Sequence, residues 1–288
     1  MISKKPARLM KKPTILWNNP KKKQVKNMIN HTFVICAYKE SAYLENCIKS
    51  VLNQKLESKV IMVTSTDNSH IRGLAEKYKL ELYVADHESD ISRDWNYALS
   101  KADTRYVTIA HQDDIYDSNY TKKVMAKMEE NEDSLICCTG YYEIRNNKRV
   151  KRNINLYIKR IMLLPLLIKS MTKRRFIKRI PIAFGNGICC PSVTYNTDNV
   201  TFPIFTEGMK SNIDWEAWEK LSNVKGRFCY CPDLLMGHRI HNESTTTQII
   251  EDNSRGDEDY FMFRKFWGEK MSRLLTKVYG NSENSNKL

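Results

Sequence analysis

Glycine is scarce in this sequence of 288 residues: there are ten, and the first is Gly73. Phosphate-cradling loops need glycine where the backbone closes on the anion, so neither a P-loop nor a dinucleotide-type glycine turn can sit near the start. The eight cysteines include no CxxC pair, which argues against a structural zinc site. No stretch approaches the ~18 apolar residues of a membrane-spanning helix, and no apolar segment follows the basic N-terminus as in a secretory signal. The expected location is therefore the cytoplasm, with peripheral contact at the inner membrane face. Aromatics are thin where the chain is most basic: residues 148–180 contain only Tyr157 and Phe176. A nucleic-acid surface interleaves stacking rings with its cations, so a non-enzymatic nucleic-acid-binding protein is the weaker reading.

The sequence does have charge, and it is clustered. The formal net charge is +14, which favours anionic partners. Nine Lys or Arg fall within residues 1–26 and twelve between Lys148 and Arg179. Residues 1–30 read as a basic peripheral arm. The cysteines, at 36, 47, 137, 138, 189, 190, 229 and 231, stand mostly among apolar residues, as buried reduced thiols do. Residues 148–180 form a basic insertion around the apolar Ile161–Ile168 segment, which contains Pro165. Two readings are open for it: an amphipathic surface on anionic lipid, or a core-packed helix pair with solvated charges.

Hydrophobic periodicity gives an α/β alternation. Residues 32–38, Lys59–Val63, Leu80–Val84 and Tyr106–Ala110 are short apolar runs rich in β-formers. Between the first two, Leu44, Cys47, Ile48, Val51 and Leu52 follow helical spacing, with Ser41 as the expected N-cap. Ile71–Lys79 and the Trp95, Ala98, Leu99, Ala102 set give two more helices. Phe261, Met262, Phe266, Trp267, Leu274 and Leu275 suggest a C-terminal helix. This order predicts a doubly wound, mainly parallel sheet with flanking helices and a C-terminal helical extension. Ligands bind such sheets beyond the carboxyl ends of the strands. His111-Gln112-Asp113-Asp114 directly follows the fourth strand. Its carboxylates suit a hard divalent cation that completes its shell with water and phosphate oxygens; they suit equally a cap for a helix starting near Ser118.

The succession TFVICAYKE, amphipathic helix, strand with the polar Thr64–Ser69 loop, Ser92-Arg93-Asp94-Trp95-Asn96 and then Ile109-Ala110-His111-Gln112-Asp113-Asp114 resembles the inverting glycosyltransferases of family two. The resemblance is strongest over residues 32–125 and thinner to about residue 250. It implies a GT-A fold (α/β, mixed but mainly parallel sheet) and sugar transfer from a nucleotide-diphosphate sugar, such as a UDP-sugar, to an acceptor glycan. It also implies Mg²⁺ or Mn²⁺ as cofactor and a place in surface-polysaccharide synthesis. Two departures stand out. The usual Pro-x-Tyr-Asn opening is Cys36-Ala37-Tyr38-Lys39, and His111 replaces the first aspartate of the Asp-x-Asp-Asp motif.

Carried over by position, the resemblance puts Ala37, Tyr38, Glu40 and Asp67 around the nucleobase, and Arg93, Asn96 and His111 near the nucleotide sugar. It puts the metal on Asp113, with Asp114 in support. In Asn212-Ile213-Asp214-Trp215-Glu216 it makes Asp214 the base; a helix N-cap is the plainer role for the same residue. In Gly237–Thr245, Arg239 suits a bidentate grip on the diphosphate, and His241 suits metal or phosphate. Gly185-Asn186-Gly187 resembles the segment that precedes the acceptor site. On this reading residues 31–116 are the nucleotide-sugar half, 117–250 the acceptor half and 251–288 the C-terminal helix. The acceptor is a glycan, lipid-linked if the basic patches meet a membrane. A sugar nucleotidyltransferase, the enzymatic alternative, would want a Gly-rich basic loop after the first strand, and Cys36–Ser41 has no glycine.

Overall fold

The computed structural model describes residues 29–241 and 255–283, with side chains to residue 280. Most of the basic arm, and Asn242–Thr245 of the late segment, lie outside the described residues.

Strands β1 (His31–Ala37), β2 (Lys59–Thr64), β3 (Glu81–Val84) and β4 (Tyr106–His111) pair in parallel, in the spatial order β3-β2-β1-β4. Helices α1 (Leu44–Leu52), α2 (Ser69–Lys77) and α3 (Ile91–Lys101) connect them. Alternate β1 side chains enter different cores: Phe33, Ile35 and Ala37 pack with α1, and Val34 packs with Ala98 and Leu99 of α3. Both faces of the strand are thus covered, which is why β1 reads as a continuous apolar run. Each fully buried Val, Ile or Leu contributes roughly 1.5–3 kcal/mol.

Beyond β4 the sheet becomes mixed. It continues with β8 (Val193–Asn196), β6 (Ser134–Arg145), β9 (Arg227–Ile240) and β5 (Ile115–Tyr116), and β7 (Lys148–Val150) pairs with the end of β6. Strands β8, β5 and β7 run antiparallel to their neighbours, whereas β6 and β9 are parallel. Helix α4 (Tyr120–Glu129) packs on β6 and β9. The basic insertion comprises β7, α5 (Ile154–Leu163), a short 3₁₀ turn (Leu164–Leu167) and α6 (Arg175–Ala183). Helix α7 (Ile213–Ser222) carries the buried Trp215 and Trp218.

Several local expectations are corrected. Ser41 does not cap α1; Tyr43 occupies that position, and its N–H donates to Ser41 Oγ at 3.3 Å. Leu52, the last residue of α1, is exposed, so the buried stripe ends at Val51. The helix expected near Ser118 is α4, which begins at Tyr120 with Asn119 as its cap residue; β5 intervenes, so the Asp113–Asp114 pair does not cap it. The C-terminal segment is two helices, α8 (Arg255–Arg264) and α9 (Glu269–Glu283), rather than one. Met262 and Phe263 are buried, while Phe261 and Leu274 face outward. All eight cysteines are free thiols.

Candidate active site

The turn after β4 gathers most of the predicted residues. Tyr38 N–H donates to Gln112 Oε1 (2.9 Å), and Gln112 Nε2 donates back to the Tyr38 carbonyl (3.0 Å). Lys39, in the left-handed region at φ +51°, donates its N–H to Thr66 Oγ1. These bonds tie together the loops after β1, β2 and β4, so Ala37, Tyr38 and Glu40 share one sheet opening with the His111 turn. Ala37 is buried, while Tyr38 and Glu40 are exposed there. Asp67 ion-pairs with Arg72 on α2 (Nε–Oδ2 3.0 Å).

Helix α3 begins with Asp90 accepting from Arg93 N–H, an N-cap that fixes how the next residues point. Trp95 stacks on the His111 ring, with centroids 5.1 Å apart and planes 22° apart. Asn96 serves the backbone: its amide donates to the Phe205 carbonyl (2.8 Å) and accepts from Ile204 and Phe205 N–H (3.1 Å each). Arg93 Nε lies about 4 Å from Asp90 and Glu207 without a hydrogen bond. Asp94, which sequence reasoning passed over, accepts from Ser65 and Ser89 hydroxyls, and burial raises its pKa.

His111, Asp113 and Asp114 bring potential ligand atoms within 4.8 Å of one another. His111 Nε2 is buried without a hydrogen-bond partner, and burial lowers its pKa. The imidazole therefore stays neutral and keeps a lone pair for a ligand. Asp114 is fully buried and accepts from Arg239 N–H (2.9 Å) and His238 Nδ1 (3.1 Å). Burial opposes charge on His238, yet Asp114 more than compensates and raises its pKa. Asp113 Oδ2 meets His241 Nε2 at 3.0 Å. Burial works against ionisation of Asp113, but the His241 hydrogen bond and the nearby imidazoles hold its carboxyl below the usual range. Two carboxylates, one neutral buried imidazole and a second histidine form a donor set that fits a hard or borderline divalent cation. Asp114 acts as the brace that locks β9 to the turn.

Arg239 is nearly buried. Its Nε donates to the Asp113 carbonyl (3.0 Å), Nη1 donates to Asn147 Oδ1 (3.1 Å), and its guanidinium lies 4.2 Å from the Tyr43 ring centroid. Asn147 is available because Asn146 and Asn147 form the two-residue β6–β7 turn, with φ of +50° and +60°. Asparagine tolerates these angles better than most residues. Tyr43, Asn146, Asn147, Arg239 and His241 line a small cavity of about 160 Å³ beside the Asp113–His241 pair.

Asp214 lies in the first turn of α7, where Asn212 is the cap residue. Its Oδ2 accepts from Asn186 Nδ2 (2.7 Å) and its Oδ1 from Trp215 N–H (2.8 Å). Burial raises its pKa despite these bonds, and its charge is among those acting on His111. The free N–H groups that lead into α7 are satisfied by Glu258 of α8, which accepts from residues 210, 211 and 212. Glu216 instead receives Thr206 Oγ1 (2.9 Å) and pairs with Lys265. A β-carbon at Gly187 would lie 2.5 Å from the Pro181 carbonyl oxygen, so only glycine lets this segment deliver Asn186 to Asp214. Asn186 was legible only as the polar residue between two glycines.

Residues 32–192 match the family model described as Glycosyl transferase family 2. The chain belongs to glycosyl transferase family 2. An uncharacterized glycosyltransferase of Haemophilus influenzae is 23% identical over 232 residues, covering 74% of this chain. The chain spans just under two thirds of that relative, 66% of its length. Among solved structures, residues 1–349 of Staphylococcus aureus TarS in complex with UDP-GlcNAc superpose with a TM-score of 0.57 at 16% identity, covering 89% of this chain and 73% of that one. The Pyrobaculum calidifontis mannosyltransferase PcManGT, in complex with GDP-Man and Mn²⁺, gives a TM-score of 0.56 at 11% identity, covering 91% and 72%. These likenesses are of the fold, and they cover more of the chain than residues 32–192.

Proposed function

We propose that this chain transfers a sugar, with inversion, from a nucleotide-diphosphate sugar to a hydroxyl of an acceptor glycan, in a metal-dependent reaction of surface-polysaccharide synthesis. The single observation that carries this reading is the convergence of two groups on one sheet opening. One is the Asp113–His241 pair beside His111 and Asp114; the other is a buried carboxylate, Asp214, oriented by Asn186 and near enough for its charge to act on His111. The complexes of TarS with UDP-GlcNAc and of PcManGT with GDP-Man and Mn²⁺ support a nucleotide-sugar donor, for which a UDP-sugar is our choice.

The residues then divide the work. Tyr38 and the loops tied to it receive the nucleoside, with Ala37, Glu40 and Asp67 at the nucleobase end. Arg93, Asn96 and His111 border the sugar phosphate. Asp113, with His241 and the bracing Asp114, would hold Mg²⁺ or Mn²⁺, which supplies positive charge to the diphosphate leaving group. Arg239 holds Asp113 from behind through its main-chain carbonyl and adds positive potential under the same site. Asp214 accepts the proton of the acceptor hydroxyl. The oxygen bonds to the anomeric carbon as the opposite carbon–oxygen bond breaks, and the electron pair leaves on the nucleoside diphosphate. Burial raises the Asp214 pKa toward the range of a working base. A lipid-linked acceptor at an anionic membrane suits the basic insertion.

The test is release of nucleoside diphosphate from a panel of donors, with Mn²⁺ and with chelator, for wild type and Asp113→Ala. One donor should be consumed in a metal-dependent reaction that the variant loses by on the order of 10³-fold or more. Turnover that ignores both chelator and Asp113 would sink the metal assignment. No turnover and no metal-dependent nucleotide binding by calorimetry would sink the transferase reading.

A further inference from the structure

Helix α5 packs one face and leaves the other bare. Leu156 and Leu163, with Leu166 of the following 3₁₀ turn, are buried. Ile154, Tyr157, Ile158, Ile161, Leu164 and Ile168 recur at helical spacing on the opposite face and are exposed, Ile154 by 78% and Ile161 by 63%. None of the described residues covers this stripe, and a bare contiguous apolar surface marks an interaction site.

The charge around the stripe says what covers it. Between Glu143 and Asp198 the sequence has no acidic residue. At the N-terminal end of the stripe, Lys148, Arg149, Lys151 and Arg152 are exposed, and no carboxylate among the described residues pairs with them. Arg174, beyond the other end, is likewise exposed and unpaired. Lys169 and Lys173 sit nearby but face Glu130 and Asp133. A second copy docked on this face would bring two rims of net positive charge together, which repels. An anionic lipid surface satisfies both features at once, because headgroups take the cations while the interfacial acyl region takes the isoleucines.

The inner face of α5 leads to the proposed base. The Met162 side chain lies 3.4 Å from where a β-carbon at Gly187 would stand, and the adjacent Asn186 holds Asp214. We propose that the outward face of α5 and its 3₁₀ turn beds into an anionic bilayer, so that the acceptor reaches Asp214 from the membrane side. The second half of that statement rests on the transferase reading, while the first half does not.

The experiment uses the full chain and two vesicle types, phosphatidylcholine alone and phosphatidylcholine with phosphatidylglycerol. Co-sedimentation is compared for wild type, Ile158→Asp/Ile161→Asp and Lys151→Glu/Arg152→Glu. Wild type should sediment with the anionic vesicles only, and each double variant should weaken that binding by about tenfold or more. Thermal melting and donor hydrolysis should stay at wild-type values, because none of these residues touches the site. Equal binding to both vesicle types would overturn the proposal. So would wild-type sedimentation of the isoleucine variant, which would leave only electrostatic adhesion. A wild-type dimer that Ile158→Asp/Ile161→Asp converts to monomer would assign the face to a second copy and overturn it too. Vesicle binding in the expected pattern without donor turnover would support the docking face while removing the transferase reading. Turnover with no vesicle binding would do the reverse.

Discussion

From His31 to His111 the strands pair in parallel and a helix follows each of the first three; only β4 leaves chain order, pairing back with β1 and, outside this region, with β8. Beyond Asp117 the order of the sheet departs from the order of the chain, apart from the β6–β7 hairpin. Strands β6 and β9 run side by side in parallel although one starts at Ser134 and the other at Arg227, and β8 enters between β4 and β6. The first region is held by local apolar periodicity. The second has an apolar core too, and adds polar clasps between distant segments: Asp114 to Arg239, Asp113 to His241, Asn186 to Asp214, Glu258 to the start of α7. The difference teaches that the proposed donor opening is a product of βα units. The proposed acceptor side adds to its packed core single hydrogen bonds whose loss would be felt in chemistry before stability.

Asp214→Asn should sharpen that contrast most. The replacement keeps the shape but cannot take a proton, so kcat should fall about 10²–10⁴-fold, with donor binding unchanged by calorimetry. Burial holds the Asp214 pKa above the ordinary carboxylate range, so wild-type kcat should fall as pH drops through that raised value. The variant should lack this limb. Its neutral-pH melting temperature should change little, because removing a buried charge offsets the loss of one of the two hydrogen bonds the carboxylate accepts.

His31 offers the corresponding test in the first region. It is buried between Ser58 and Thr108, with ring nitrogens 2.9 Å from each hydroxyl, and burial holds its pKa at about 3. The unfolded chain therefore takes up a proton near pH 6.5 that the folded chain refuses. Stability should decline as pH falls from there toward 3, by on the order of a few kcal/mol in total. In urea titrations at neutral pH and near pH 5, His31→Asn should start less stable but lose less between the two. An acid loss equal to wild type would show that His31 is not the responsible group.

Glycine-to-alanine exchanges should have opposite signs in the two regions. At Gly187 the new methyl would strike the Pro181 carbonyl, and the melting temperature should drop by an amount corresponding to about 1–3 kcal/mol. At Gly73, inside α2 with nothing within 4 Å of the added carbon, alanine should stabilise by about 0.5–1 kcal/mol through helix propensity. Matching signs would break the comparison.

The first region was largely legible in advance because its signals are periodic and local. The apolar runs located all four parallel strands to within two residues, and the carboxyl-end rule pointed to Asp113 and Asp114. Legibility fell where one amide did several tasks. Asn96 stood out by its motif, yet the structure occupies it with the 204–205 backbone. Arg239 stood out for its cationic fork, yet that fork holds Asp113 and Asn147. Asn186, Asp94 and Glu258 carried little signal of their own, since a polar residue in a loop reads the same whether it faces water or a carboxylate.

Order and type of elements, a strand end rich in acids, the family and a concentrated positive charge were all determined by the sequence, because each depends on residues that are neighbours in the chain. Only the tertiary structure decided that His241 meets Asp113 across 128 positions, that Asn186 orients Asp214, and that the isoleucines of α5 stay bare while its leucines are buried. Those outcomes depend on which distant segments the mixed sheet brings together, and no local periodicity encodes that pairing.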